Sequence, residues 1–430
     1  MIDNTTNKLM TDSSTNKLST FGGQMYDALV LGAEHRASLV TARSLGSRGL
    51  RIAVLGPARA PVFSSRWCQQ AFVYPSSEST EAYLHNLEQL LDHTGVRVLI
   101  PLSDGAVELV RRHRERLEQR VRIALAKEPA LGIAINKEQT LEVARQLGLG
   151  VPRALSLRSV SEVGTALHEI GLPAVVKPIE SWVWDRGQRL TCKLVATPEE
   201  ARRAVEDLTS MGETVLFQQF LPGKREAINL FYAHGNICAR FAQWARRTEP
   251  PLGGASVLRQ SIAPPQDISD QAERLVREID LEGYSEVEFR RDSAGVPYLM
   301  EMNPRLSASI ELAVRSGVDF PYLLYQWANE GQVDTVNSYQ TGRWQRYLMA
   351  DITTTVKALQ QHGRPGVTPP ARTIFDFCAS FFMPMSYDYV DRKDLLPAWT
   401  AAVNFARDLP RMVRKSFSKN DDGKSVTAVW

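Results

Sequence analysis

From Tyr26 onward, apolar runs alternate with amphipathic stretches. "YDALVLG" reads as a buried strand, "EHRASLVTARSLGSRG" as a helix with one apolar face, and "RIAVLG" as a second strand, with Gly32 and Gly49 as punctuation. "VRVLIPLSD" followed by "GAVELVRRHRERLE" repeats the alternation. This βαβ succession predicts a parallel, doubly wound sheet of Rossmann type over residues 25–128. Its first turn, "LGAEHRAS", lacks the second and third glycines of GxGxxG, so no dinucleotide is inferred from it. Ligands of such sheets gather at the C-terminal strand ends, here Gly32 to Arg36 and Ser103-Asp104. Ser103 serves equally as the N-cap of the helix that follows.

The pattern then changes. "NKEQTLEVARQLG" predicts a short helix with Asn136 as N-cap, ending at Gly148 and Gly150. "HEIGLPAVVKP" and "ETVLFQQFLPG" predict buried strands. "REAINLFYAHGNICARFAQWA" predicts a hairpin turning at Gly235-Asn236, and "GYSEVEFRRDSAGVPYLMEMNPR" one turning at Ser293-Ala294-Gly295. These segments describe an α+β body of mainly antiparallel sheets. Beyond about residue 335, segments such as "LLPAWTAAVNFARDLPRMVRKSF" predict a C-terminal helical extension, 336–430.

Chemistry concentrates in "PYLMEMNPRLSAS", where an apolar strand runs straight into Glu301 and Asn303 before Pro304. A buried carboxylate is costly unless a cation or hydrogen bonds compensate it. Glu288 and Glu301 are 13 positions apart with the turn midway, so they can face each other across paired strands, with Asn303 on the same face. Two carboxylates and an amide oxygen make a hard-oxygen site suited to Mg²⁺ held together with substrate phosphates. Arg305 could hold a phosphoryl or acyl-phosphate oxygen in bidentate fashion. Lys177 ends an apolar strand and Lys137 starts a helix, and either suits a phosphate. Each alone reads as a surface lysine, and only their order relative to the carboxylate hairpin changes that. The irregular segment "ARRTEPPLGGASVLRQS" holds Arg246 and Arg247 and reads either as the wall near a γ-phosphate and acceptor or as a long solvated loop.

The order Lys137, "LPAVVKP", "FQQFLPG", "VEF…GVPYLMEMNPRLSASIELAVRSGVDFP" resembles the ATP-grasp superfamily of carboxylate-amine ligases over residues 26 to about 335. That superfamily contains D-alanine–D-alanine ligase, biotin carboxylase and the carbamoyl phosphate synthetase ligase domains. The resemblance implies an ATP-grasp domain over 129–335, with a small lobe at about 129–216 and a large lobe at about 217–335. It implies that Lys137 and Lys177 contact ATP phosphates, Lys177 also lying near the adenine. Gln218, Gln219, Phe220 and Leu221 would form the hinge that reads the adenine edge, and Glu226 would hold the ribose hydroxyls. Glu288, Glu301 and Asn303 would bind Mg²⁺, with Mn²⁺ as an alternative, and Arg305 would stabilise the acyl phosphate; Arg247, from the irregular segment, is the second catalytic candidate. ATP, a small carboxylate and an amine are the implied partners, and an acyl phosphate the implied intermediate. A grasp-fold phosphotransferase or a non-catalytic ATP-binding regulator stays open beside the ligase. Where many relatives have a glycine- and serine-rich loop after the lysine strand, this chain has "PIESWVWDRGQRLTCK", with Trp182, Trp184 and the single Gly187. Bulky indoles cannot wrap phosphate with bare backbone amides, so Arg186, Arg189 or Lys193 are expected to close the lid. Glu226 in "PGKREA" is one residue off a common family spacing.

Composition narrows the rest. With 430 residues, 43% hydrophobic and 23% charged, the chain can bury a substantial core in two to four compact units. A formal charge of +3 calls for neither nucleic acid nor lipid. Four cysteines and seven histidines show no zinc spacing, which together with the lack of a signal-like apolar segment predicts a cytoplasmic chain without structural metal. No apolar run approaches the roughly 18 residues of a membrane span. Residues 1–24, with TNKL at Thr6 and Thr15, predict a disordered tail, and a homodimer is compatible with everything read.

Overall fold

The computed structural model describes residues 25–74, 80–184 and 187–418. The expected tail, 1–24, and Arg186 lie outside the described residues. Strands β1 (Ala28–Leu31), β2 (Ile52–Gly56), β3 (Gln70–Val73), β4 (Val98–Pro101) and β5 (Arg122–Ile123) form a sheet in the order β3-β2-β1-β4-β5. Every neighbouring pair is parallel. β1, β2 and β4 are buried at each position, as expected where helices cover both faces and the sequence reads as unbroken apolar runs. The strand order reverses between β1 and β4, so their C-terminal ends flank a crevice. Gly32 turns the chain there at φ +98°, and a side chain on it would press to 3.3 Å from the Ser103 amide nitrogen.

A second sheet holds β6 (Ala154–Leu157), β7 (Ala174–Pro178), β10 (Lys193–Val195) and β11 (Val215–Gln219) in the order β10-β7-β11-β6. Between β7 and β10, β8 (Trp182–Val183) and β9 (Gln188–Arg189) pair as a separate ribbon. Helices Val163–Ile170 and Pro198–Thr209 place Val163, Ala166, Ala201, Val205 and Leu208 against Val176 and Phe217 of this sheet.

The third sheet contains β12 (Arg225–Ala233), β13 (Asn236–Glu249), β14 (Ala255–Ile262), β15 (Gly283–Arg291), β16 (Pro297–Asn303), β17 (Trp344–Arg346) and β18 (Met385–Tyr387). Its order is β16-β15-β12-β13-β14-β17-β18. Helix Gln266–Glu278 buries Ile268, Ala272, Leu275 and Val276 in one cluster with Ile228, Leu230, Val287 and Phe289, which closes one face. The opposite face carries the polar residues described below.

The C-terminal part carries the helices Leu348–Gln360, Pro370–Ala379 and Leu396–Ser418, and it also contributes strands that the sequence reading did not expect. β17 pairs with β14, and β18 with β17, so residues after 335 extend the large sheet. The helix Leu396–Ser418 then returns to the N-terminal domain, where Thr400 Oγ1 bonds Ser64 Oγ at 2.9 Å and Asn404 Nδ2 donates to the Arg59 carbonyl at 2.9 Å. Arg43 Nε reaches Asp394 at 2.9 Å. No helix among the described residues is long and apolar enough to cross a membrane.

One buried charge cluster anchors this extension. Asp351 is fully buried and takes Arg346 Nε at 2.6 Å, while Arg247 donates Nε at 2.6 Å and Nη2 at 2.7 Å. Removing the shared carboxylate strands two guanidinium groups. Asp351→Ala is therefore expected to destabilise the fold by about 3–5 kcal/mol. Chemical denaturation checks this, and a loss below about 1 kcal/mol, within the range of ordinary surface substitutions, would contradict it.

Candidate active site

The register of β15 and β16 sets Glu288 opposite Glu301 and Glu286 opposite Asn303. A bulge after Glu288 leaves Met300 unpaired, so Phe289 still meets Leu299 and both acidic pairs stay on one face. The hairpin edge is fixed from outside by Gly150, whose carbonyl accepts from the Leu299 amide at 2.8 Å. A Cβ on Gly150 would lie 2.5 Å from the Pro297 carbonyl oxygen, so only glycine permits this approach.

The Glu301 carboxylate makes no hydrogen bond or ion pair within 4 Å among the described residues. Burial acts to raise its pKa, yet Lys137, Lys177, Arg225 and Arg189 outweigh burial and hold the carboxyl below its ordinary range. Glu288 is clamped by Arg225, whose Nε lies 2.9 Å from Oε2 and whose Nη2 contacts Oε1. Each oxygen keeps a lone pair for a cation. Glu286 is pushed up to about 7, first by burial and then by Glu288, and it takes Gln243 Nε2 at 3.2 Å. Glu288, Glu301 and Asn303 thus offer a hard-oxygen set that fits Mg²⁺, and Glu301 has no competing partner.

Cations face this set. Lys177 is the penultimate residue of β7, opposite Leu216; it is buried, and its ammonium makes no hydrogen bond among the described residues; burial lowers its pKa, with Glu301 among the groups opposing that shift. Lys137 opens the helix Lys137–Gln146, which Asn136 caps through the Gln139 amide at 3.0 Å, and its Nζ donates to Ser181 Oγ at 3.0 Å. Arg305 donates Nε to Asp104 Oδ1 at 2.5 Å, and its terminal nitrogens have no hydrogen-bond partner among the described residues. Asp104 also takes Arg189 Nε at 2.9 Å. Burial acts against the Asp104 carboxylate, but Arg305 and Arg189 overcome it and hold its pKa far below the usual range. Asp104, Lys137, Trp182, Glu301, Asn303 and Arg305 line one cleft between the first and third sheets.

Gln218 and Gln219 end β11, followed by Phe220 and Leu221 at the junction between the second and third sheets. Gln218 is fully buried with its Oε1 unpartnered. The Leu221 carbonyl is taken by Arg290 Nη1 at 2.7 Å, which leaves that oxygen one lone pair for a further donor.

Three expectations need correction. Glu226 pairs with Phe289 while Ala227 pairs with Glu288, so the two-residue strand period turns Glu226 to the opposite face, where Arg291 Nε holds it at 2.6 Å. Its carboxylate therefore lies on the face away from Glu288 and is already paired. Arg247 is consumed by Asp351 and does not join the cleft. At the strand ends where ligands were expected to gather, the charged side chains are already engaged in direct ion pairs: Asp104 with Arg305, and Arg36 with Asp388. Ser103 acts as the N-cap, accepting from the Ala106 amide at 3.2 Å.

Sequence reading missed Arg225, Glu286 and Gln243. Glu286 could have been found two positions before Glu288 on the same face, and Arg225 by the same parity that excludes Glu226. Gln243 faces Ala227 across β12 and β13, a register no local pattern reveals.

Comparison with known proteins agrees with this architecture. Residues 212–348 match the family described as ATP-grasp in the biosynthetic pathway with Ter operon. The carbamoyl phosphate synthase large chain of Thermus thermophilus is 24% identical over 290 residues, covering 64% of this chain and 27% of that protein. D-alanine–D-alanine ligase B of Pseudomonas putida is 25% identical over 216 residues, covering 45% of this chain and 64% of that protein. The chain thus spans under two thirds of the length of either relative. The biotin carboxylase of Campylobacter jejuni superposes with a TM-score of 0.59 at 14% identity, covering 74% of each chain. Residues 212–348 of this chain thus match an ATP-grasp family, and its fold is shared with a biotin carboxylase.

Proposed function

We propose that the protein is a cytoplasmic, ATP-dependent ligase that forms an amide or peptide bond from a small carboxylate and an amine through an acyl phosphate. The observation that carries this reading is Glu301, a carboxylate opposite Glu288 that has no hydrogen-bond or ion-pair partner among the described residues and is held charged by Lys137 and Lys177. A side chain so placed is a charged carboxylate with both oxygens open to a bound cation.

Glu288, Glu301 and Asn303 would hold Mg²⁺, which when bound neutralises phosphate charge. Lys137 and Lys177 would meet the phosphates, and the junction at Gln218 to Leu221 would meet the adenine. Attack of a substrate carboxylate oxygen on the γ-phosphorus breaks the bond to the β-phosphate oxygen and releases ADP. Two anions must approach for this, so the fixed cations lower the barrier electrostatically. The amine then attacks the acyl carbon, and the tetrahedral oxyanion is met by the free terminal nitrogens of Arg305. Collapse expels phosphate, and the amine proton passes to solvent. Burial of Glu286 beside Gln243 and Ser309 makes that carboxyl readily neutral, which removes one repulsive charge from the path of an incoming carboxylate.

Incubation with Mg²⁺-ATP and pools of carboxylic acids and amino acids is expected to release ADP and phosphate only when a carboxylate and an amine are both present. A stable phosphorylated product without need for an amine would instead identify a phosphotransferase and reject the ligase reading.

A further inference from the structure

The ribbon β8–β9 takes the place of a phosphate-wrapping loop, yet it rests on the N-terminal domain. Trp182 lies against Gly105 in the first turn of the helix Asp104–Arg112. A Cβ built on Gly105 would come within 2.7 Å of Cη2 and 2.8 Å of Cζ2 of that indole. The tryptophan fills the space that any other residue at 105 would need. Trp184 sits 5.7 Å from the His113 ring and 4.8 Å from the Arg112 guanidinium carbon, a cation–π distance. Arg189 of the same ribbon binds Asp104 Oδ2 at 2.9 Å, while Oδ1 of that carboxylate binds Arg305 Nε at 2.5 Å. At the ribbon's base, the Ser181 carbonyl accepts from the Leu190 amide and Ser181 Oγ receives Lys137 Nζ.

We propose that this lid closes by clasping the N-terminal domain through Trp182 on Gly105 and Trp184 on Arg112 and His113, and that Asp104 is the positioning residue which couples closure to Arg305. The role given to Arg305 rests on the ligase reading; the clasp itself does not. The logic lies in the two oxygens of one carboxylate. With the ribbon away, both are available to Arg305, which can then lie flat on Asp104 through two nitrogens. When Arg189 occupies Oδ2, Arg305 is held through Nε alone, and its terminal nitrogens turn to the cleft. Closure thereby readies the arginine without any glycine-rich backbone cradle. Lys137 is brought into line by the same movement, through Ser181.

Gly105 gives a clean test. Its φ is not positive, and it lies in a helix, so alanine suits the helix at least as well. Gly105→Ala should displace Trp182 while leaving the melting temperature unlowered. Arg189 in the ribbon makes it a trypsin target when it lifts. Without nucleotide, Gly105→Ala and Trp184→Ala are each expected to be cut in the ribbon about fivefold faster than the wild type or more, the signature of a more populated local opening. Asp104→Asn, which offers one acceptor oxygen in place of two, is expected to lower kcat about tenfold or more, with partial rescue by Asp104→Glu. Ribbon cleavage at the wild-type rate in both Gly105→Ala and Trp184→Ala would overturn the clasp, and an unchanged kcat in Asp104→Asn would overturn the coupling. If the wild type turned over ATP with no carboxylate and amine pair, the ligase reading would fall, while the cleavage contrast would still decide the clasp.

Discussion

Glu301→Gln is expected to reduce ATP turnover by about 10²–10³-fold at ordinary magnesium, the scale lost when one preorganised charge-stabilising group is removed. The substitution keeps the volume and the hydrogen-bonding shape of the side chain and removes only the charge. The effect should therefore separate from folding. The sign of the stability change follows from the environment. Burial alone would raise the Glu301 pKa, but the surrounding cations hold it below its ordinary value. A carboxylate with a depressed folded pKa contributes stability above its unfolded pKa, and that contribution is lost as pH falls through the folded one. The variant should accordingly be slightly less stable at neutral pH and match the wild type in acid, where both side chains are neutral. Raising magnesium should recover part of the turnover, because Glu288 and Asn303 remain. Wild-type ADP release by Glu301→Gln would remove the basis for a metal site on this hairpin.

How much of this was legible before the structure depends on how local each signal is. The parallel sheet was legible because strands buried on both faces spell unbroken apolar runs, as in "ALVL", "IAVLG" and "VLIP". The facing of Glu288 and Glu301 was legible because a hairpin fixes its own register through its turn. Glu226 was misplaced because a motif spacing carries a residue along the chain, whereas the strand period decides its face; a shift of one position moves a side chain through the sheet. β17 and β18 were invisible because each has three residues, too few to show an alternation, and each is held by partners far along the chain. Long-range ion pairs were equally hidden. Arg247 meets Asp351 across 104 positions and Arg305 meets Asp104 across 201, and nothing local marks either arginine as already paired. The charged side chains at the strand ends were for that reason already paired. The tryptophans of the lid were visible as a departure from a glycine-rich loop, but the surface that receives them lies in another domain and could be found only from coordinates.

Lys177→Met should weaken Mg²⁺-ATP binding while leaving the protein as stable as before or more so, and this pairing of opposite signs is what a purely structural lysine could not produce. Lys177 is buried as the penultimate residue of β7, its ammonium makes no hydrogen bond among the described residues, and it is disfavoured as a cation by burial even after Glu301 is taken into account. Holding it there costs the fold free energy, and a methionine of similar length puts apolar surface in place of a charge that Glu301 compensates only in part. Against that, the ammonium is a point charge that a phosphate oxygen can pair with, at about 1.5–3 kcal/mol for a charge-assisted hydrogen bond. The dissociation constant for a non-hydrolysable ATP analogue with magnesium should rise about 10- to 100-fold, read by calorimetric titration. Lys137, which is already bonded to Ser181, should show a smaller loss on the same substitution because part of its role is held by the protein. A Lys177→Met protein that melts several degrees lower and binds the analogue as tightly as the wild type would make this lysine a strut of the small sheet, and the phosphates would have to be sought elsewhere.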